Sequence, residues 1–157
     1  MEESGLLGSA YLAENPPFDL ANVVAGFNFD RVLPTGKTKD MAVIGYGASE
    51  LEDYLEAELE KQGRYINPDP NPEKGYFYRS DHISFAKKGV PVLYSDDGFD
   101  LEEGGIEEGF KEIYDYTNFR YHGVNDEYDP SWNLEGFEQT IDTIFNISQD
   151  LSNSFDW

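Results

Sequence analysis

The chain has 157 residues, of which 39% are hydrophobic and 15% aromatic, and this composition predicts one globular domain over residues 1–157 with no internal boundary. Its 32 acidic and 11 basic residues give a formal net charge of −21, which excludes nucleic acid as a partner because both molecules would be polyanions. The absence of cysteine excludes disulfides and thiolate metal sites, and no apolar run approaches the roughly 20 residues of a membrane helix, so we expect no membrane insertion.

Apolar and polar segments alternate along the chain in a pattern that predicts both helices and strands. In chain order, the pattern predicts a helix at 9–14, buried strands at 21–29 and 41–46, a helix at 49–62 and a short strand at 65–66. A Pro-rich loop at 67–75, a short helix ending at Gly89, a strand at 90–94, an acidic loop at 96–105, a helix at 106–116, an irregular segment at 120–130 and a helix at 133–151 follow. Strands that alternate with helices indicate an α/β sandwich.

The helix predicted at 49–62 has the clearest signals in the sequence. Ser49 and Glu52 have the spacing of a capping box, and Gly63 follows at the other end. Its apolar stripe, at helical spacing, is formed by Leu51, Leu55 and Leu59.

Two adjacent carboxylates, Glu2 and Glu3, directly precede the first predicted helix. Adjacent carboxylates repel each other, so a fold that places both in one cleft requires a positive charge there, which a metal ion supplies. One carboxylate can then bind the metal while the other transfers a proton. The same pair would also suit a solvated helix start, where negative charge favours the helix dipole.

Three further residues lie where sites usually form. Asp30 ends the strand predicted at 21–29, and the chemistry of α/β folds gathers at such strand ends. The chain has two histidines, His82 and His122, and both lie in polar and aromatic segments that follow core elements.

Taken together, four segments resemble one known family in their order and spacing. They are 2–9 (EESGLLGS), 28–30 (NFD), 80–91 (SDHISFAKKGVP) and 121–129 (YHGVNDEYD). In this order they are similar to the second half of the co-catalytic zinc aminopeptidases, the family of bacterial leucyl aminopeptidases and plasma glutamate carboxypeptidase. The resemblance spans nearly the whole chain.

The resemblance implies a zinc-dependent exopeptidase that acts on peptide substrates through a metal-activated water. It implies that Glu2 is the general base, that Glu3 and His122 bind one zinc, and that Asp30 binds the other. Imidazole and carboxylate are usual zinc ligands, and two zinc ions about 3.5–4 Å apart can hold a hydrolytic water and the scissile carbonyl. The implied fold is a three-layer sandwich with a mixed central sheet.

Lesser roles follow from the same resemblance. Ser80, Asp81 and His82 match a segment near the family's active site, and they equally suit a capped helix start. Tyr78 or Tyr76 is a candidate to polarise the substrate carbonyl. Three acids after His122 either orient its loop through hydrogen bonds or are simply solvated; they are Asp126, Glu127 and Asp129.

The family pattern also contains a histidine and a bridging aspartate before the Glu-Glu pair, and only Met1 precedes that pair here. We therefore expect the chain to be the C-terminal part of a larger catalytic domain, with a sandwich incomplete at its N-terminal side. As written, it should bind zinc weakly or singly and hydrolyse poorly or not at all, with the missing N-terminal part as its partner. The family suggests a secreted or periplasmic location.

Three other functions are compatible with parts of the sequence. An acidic calcium-binding domain could use oxygen ligands from the loops 96–100 and 125–129, although neither has the full EF-hand spacing. A serine hydrolase would use Ser80, but sequence neighbours cannot face one another as a catalytic triad requires, and the Gly-x-Ser-x-Gly motif is absent. A non-catalytic binding domain would explain the missing ligands.

Overall fold

The sheet at the centre of the molecule is mixed. The computed structural model describes residues 2–31 and 33–155, and in it four strands pair in the order β1-β4-β2-β3. The strands are β1 (Gly26–Asn28), β2 (Asp40–Val43), β3 (Tyr65–Pro68) and β4 (Val92–Asp97). β1 runs parallel to β4 and β2 runs parallel to β3, whereas β2 and β4 are antiparallel.

Five α-helices accompany the sheet in the described part of the chain. They are α1 (Leu7–Glu14), α2 (Leu51–Lys61), α3 (His82–Ala86), α4 (Gly105–Phe119) and α5 (Glu135–Asn153). At the start of α2 the predicted pair is in contact, since Glu52 accepts from Ser49 N at 3.4 Å and Ser49 Oγ accepts from Leu51 N at 3.3 Å, although the N-cap residue is Glu50. No helix within residues 2–31 and 33–155 has the length and apolar character that crossing a membrane requires.

Helices cover both faces of the sheet. Side chains alternate between faces along a strand, so Leu93 and Tyr94 of β4 point to opposite sides. Leu93 belongs to the main hydrophobic core, whose other fully or nearly fully buried members are Met41, Val43, Leu51, Leu55, Leu59, Ile147 and Leu151. This core joins the sheet to α2 and α5.

The opposite face is covered by α3, which α1 contacts in turn. The Tyr94 ring lies 4.7 Å from the ring of His82 in α3. The three layers and the mixed central sheet agree with the architecture predicted from the sequence.

Several predicted bounds differ from the structure, most clearly in two segments. The strand predicted at 21–29 is confined to Gly26–Asn28, preceded by a 3-10 turn at Leu20–Asn22. The acidic loop predicted at 96–105 was wrong at its start, since Asp96 and Asp97 are buried residues of β4. Both residues pair with β2, which satisfies the hydrogen bonds of their backbone groups. Their carboxylate side chains do not prevent this pairing.

Arg64 holds the start of β3 to neighbouring elements from within the core. Its side chain is buried, and Nη2 donates to Asp40 O at 2.8 Å while Nε donates to Thr38 O at 3.0 Å. A third donor, Nη1, reaches Thr143 Oγ1 of α5 at 3.2 Å. Burial lowers the pKa of the guanidinium, against the opposing charge of Asp40.

Candidate active site

The Glu2-Glu3 pair lies on a tight turn that leads into α1. Glu2 O accepts hydrogen bonds from Gly5 N and Leu6 N, both at 2.9 Å. The turn requires left-handed backbone at two successive positions, with φ of 97° at Gly5 and 61° at Leu6. Glycine adopts this region without steric cost, whereas leucine rarely does. The turn therefore places the backbone of both glutamates just before the helix.

Glu3 and His122 meet although they are far apart in the sequence. His122 Nε2 lies 2.7 Å from Glu3 Oε1, and both side chains are more than half exposed. His122 has a φ of 58°, again in the left-handed region, and its ring stacks on Tyr121 at 3.8 Å between centroids. A non-glycine residue in this conformation costs of the order of 1 kcal/mol, and such residues concentrate at functional sites.

Asp126 contacts the segment that carries His122. Its Oδ2 accepts a long hydrogen bond from His122 N at 3.4 Å, and both carboxylate oxygens lie 3.3 Å from the Tyr116 hydroxyl that donates to them. Asp126 thus contacts the backbone of His122, and its orienting role stays a prediction. Asp129, predicted with it, instead accepts from Ser131 N and Ser131 Oγ in its own turn, and these bonds lower its pKa.

Asp30 follows β1 at the carboxyl edge of two parallel strands. Tyr94 of β4 donates its hydroxyl hydrogen to Asp30 Oδ2 at 3.0 Å. In the register of these strands Asn28 lies opposite Tyr94, and Asn28 Nδ2 donates to Ser80 Oγ at 2.9 Å. Neither hydrogen bond was predicted. The sequence signal available for the first was the Tyr-Ser-Asp-Asp segment at 94–97, at the end of an apolar strand.

Carboxylates from separate segments act electrostatically on Glu2. Burial raises the pKa of Glu2, and the charges of Asp30, Glu3 and Asp81 raise it further. Burial likewise raises the pKa of Tyr121, followed by the charges of Glu3, Asp30 and Glu2. Glu2, Glu3, Asp30 and Asp81 therefore define an acidic region in which the other three charges act on Glu2, and Glu2, Glu3 and Asp30 also act on Tyr121.

The segment directly after Asp30 is held by two carboxylates of β4. Arg31 Nη2 lies 3.5 Å from Asp96 Oδ2, and Leu33 N donates to Asp97 Oδ2 at 2.6 Å. Burial raises the pKa of Asp96 to about 6 and that of Asp97 to about 7. These acids are structural here, which argues against the first of the two proposed calcium loops.

The Ser80-Asp81-His82 segment forms the start of α3. Ser80 is buried and its Oγ accepts from Asn28, so it is not presented to a substrate as a nucleophile would be. His82 is 4% exposed and packs between the rings of Phe77 and Tyr94, and burial lowers its pKa. Asp81 precedes the helix without a capping hydrogen bond from its side chain.

The two tyrosines considered for polarising the carbonyl lie before α3. Tyr78 is 71% exposed and meets the Phe77 ring edge-on at 5.4 Å. The Tyr76 ring lies under two cations, with Arg79 Cζ at 5.7 Å and Lys74 Nζ at 5.9 Å from its centroid. Within residues 2–31 and 33–155 no hydrogen bond or ring contact joins either tyrosine to the acidic region, and the choice between them stays a prediction.

The donor types in this region suit a zinc ion, because carboxylate and imidazole are both usual zinc ligands. Glu3 and His122 provide one such pair in direct contact. Asp30 makes no hydrogen bond to this pair within the described residues and accepts one from Tyr94. Across residues 2–31 and 33–155, no group of three or more histidine, aspartate or glutamate side chains is arranged to hold a metal ion. The described residues therefore fit zinc in their donor types and in one contacting pair, Glu3 and His122.

Comparisons with known proteins agree with this description. The structure is similar to the crystal structure of the LapA aminopeptidase of Legionella pneumophila, with a TM-score of 0.67 at 16% sequence identity. The alignment covers 99% of this chain and 38% of the LapA chain, so this chain spans well under half of that protein. At this identity the likeness shows the fold. No curated protein sequence matches the chain. The sequence profile of peptidase family M28 matches residues 1–148, and the chain therefore belongs to peptidase family M28.

Proposed function

We propose that this chain carries part of the active site of a zinc-dependent metallo-exopeptidase of the aminopeptidase type. Membership of peptidase family M28 supports a peptide substrate, and the likeness to LapA, itself an aminopeptidase, supports the exopeptidase class. The observation that carries the proposal is the 2.7 Å contact between His122 Nε2 and Glu3 Oε1, directly beside Glu2. The contact joins two side chains of zinc-binding types from distant parts of the chain, and the candidate base Glu2 is the sequence neighbour of one of them.

In this proposal Glu2 is the general base. Burial and the neighbouring carboxylates raise its pKa, which increases its affinity for a proton. A base is most effective when its pKa lies close to the working pH, so the shift favours proton uptake at a Glu2 carboxylate oxygen from the attacking water. Glu2 would then return that proton to the leaving amine.

Glu3, His122 and Asp30 would hold zinc. When bound, zinc supplies a Lewis acid that polarises the scissile carbonyl and promotes ionisation of the hydrolytic water. The surrounding negative charge favours a divalent cation, because the charges of Asp30, Glu3 and Asp81 all raise the pKa of Glu2. Asp126 would keep His122 in place through its bond to the backbone N–H.

The number of donors in this chain limits what it can do by itself. Glu3, His122 and Asp30 are enough donors for one zinc ion, and only Glu3 and His122 are in contact, so we propose that the 157-residue chain binds a single zinc ion weakly through these three residues. Weak binding of one zinc implies that hydrolysis by this chain is slow or absent.

Calorimetric titration of the metal-free chain with zinc tests the metal site. We expect one zinc per chain, with affinity reduced at least about tenfold in His122→Ala and in Glu3→Gln, which is typical of losing a ligand or its support. Glu127→Gln is the matched control, because it removes a carboxylate from the same segment as His122 without removing a proposed ligand; its affinity should stay within about twofold of the unchanged chain. Unaltered zinc binding in His122→Ala would refute the site.

A second measurement tests the chemistry. Turnover of an aminoacyl-p-nitroanilide by the full chain should be slow or undetectable, and any turnover should vanish with a chelator and in Glu2→Gln, while Glu2→Gln still binds zinc. Fast, chelator-sensitive turnover would contradict the proposed limit on activity. Turnover that resists chelation would contradict the metallopeptidase itself.

A further inference from the structure

Tyr94 makes a hydrogen bond that the proposed chemistry does not use. It is 5% exposed, and its hydroxyl donates to Asp30 Oδ2 at 3.0 Å. Asp30 itself lies at the surface. In the described part of the chain no side chain bonds its other carboxylate oxygen, Oδ1, so Tyr94 determines which oxygen of Asp30 is open to a ligand.

The Tyr94 ring has little freedom to move. Its centroid lies 4.7 Å from that of His82, which lies 4.8 Å from the Phe77 ring. Phe77 in turn packs directly on Gly45, where an added Cβ would come within 2.1 Å of Phe77 Cδ2. The row of Gly45, Phe77 and His82 therefore packs against the buried Tyr94 ring.

Strand pairing also holds the backbone that carries the Tyr94 hydroxyl. Tyr94 lies opposite Asn28 in the parallel β1–β4 pair, and Asn28 is bonded to the buried Ser80. Strand pairing thus holds the Tyr94 backbone and the end of β1, and the exposed Asp30 follows that strand end.

We propose that Tyr94 is a positioning residue for Asp30: it holds Oδ2 and turns Oδ1 toward a divalent cation. The inference rests on the proposed function, in which Asp30 is a zinc ligand. A carboxylate held in one orientation loses less conformational freedom on binding a metal, and removing such a partner of a ligand typically weakens metal affinity about 10–100-fold.

Zinc titration of Tyr94→Phe in the full chain tests this. The change removes only the hydroxyl, and the expected result is zinc affinity at least about tenfold weaker. Tyr65→Phe is the matched control, because Tyr65 also donates its hydroxyl to a carboxylate, Asp100 Oδ2 at 3.2 Å, on a different strand of the same sheet. Its zinc affinity should stay within about twofold of the unchanged chain.

A role through Asp30 is separated from a general structural role by combining changes. In an Asp30→Asn background, Tyr94→Phe should weaken zinc binding no further. Equal weakening with and without Asp30, equal weakening in Tyr65→Phe, or unchanged affinity in Tyr94→Phe would each overturn the inference while leaving the proposed function standing. An unchanged chain that binds no zinc would overturn the proposed function, and this inference with it.

If Tyr94→Phe does not fold, a measurement on the unchanged chain tests the inference instead. Carbon-13 NMR should show the Asp30 carboxyl and Tyr94 Cζ signals shifting together as zinc is added, because the two groups share a hydrogen bond. A Tyr94 Cζ signal that zinc leaves unmoved while the Asp30 carboxyl shifts would overturn the inference.

Discussion

Replacing Asp97 with asparagine should change how the stability of the protein depends on pH. Asp97 Oδ2 accepts from Leu33 N at 2.6 Å and Oδ1 accepts from Thr140 Oγ1 at 3.2 Å, so it links the segment after Asp30 to α5. Burial raises its pKa to about 7. Asparagine keeps one acceptor oxygen and removes the ionisation, so Asp97→Asn isolates the cost of charging this buried group.

The sign follows from proton uptake. The pKa of Asp97 is about 7 in the folded chain and 3.8 at its usual value, so between these values the folded state binds more protons than the unfolded state. The free energy of unfolding therefore falls as pH rises from about 4 to about 7. Integrated between about pH 4.5 and about pH 7.5, the two pKa values give a loss of about 3 kcal/mol from Asp97 alone.

Urea denaturation of the metal-free chain at these two pH values measures the effect. The free energy of unfolding of Asp97→Asn, relative to the unchanged chain, should be about 3 kcal/mol more favourable at the higher pH than at the lower. Asp129→Asn is the control: Ser131 lowers the pKa of Asp129 below 3.8, so its effect should be the same at both pH values. A difference for Asp97→Asn that does not vary with pH would refute the reasoning.

Three further predictions concern packing and backbone. Gly109→Ala should lower the free energy of unfolding by about 1–3 kcal/mol in urea denaturation, because its Cβ would lie within 1.9 Å of Phe99 O. Arg64→Met should cost about 3 kcal/mol or more in the same assay, since it leaves buried carbonyls such as Thr38 O without a donor. His122→Gly should be about 1 kcal/mol more stable than His122→Ala because φ is 58° there, while both lose zinc affinity; a less stable glycine variant would contradict the strain.

Local rules were sufficient where an element's signals lie within a few residues of one another. The capping pair Ser49 and Glu52 and the stripe from Leu51 to Leu59 predict α2, and the helix is found at Leu51–Lys61. The same rules failed at Asp96 and Asp97, because two acids followed by glycine are typical of a loop and nothing nearby in the sequence reveals that β2 pairs with them. Strand pairing is a long-range property and overrode the local preference.

The same distinction between local sequence signals and long-range contacts applies to the candidate site. The sequence by itself supplied the chemical types and, through the family resemblance, the residues Glu2, Glu3, Asp30 and His122. Only the tertiary structure placed His122 against Glu3 and gave Asp30 its hydrogen bond from Tyr94. The reason is physical: a distance, a buried hydrogen bond or a raised pKa depends on which distant segments the folded sheet brings together and on how much water they exclude, and neither quantity is encoded in the spacing of residues along the chain.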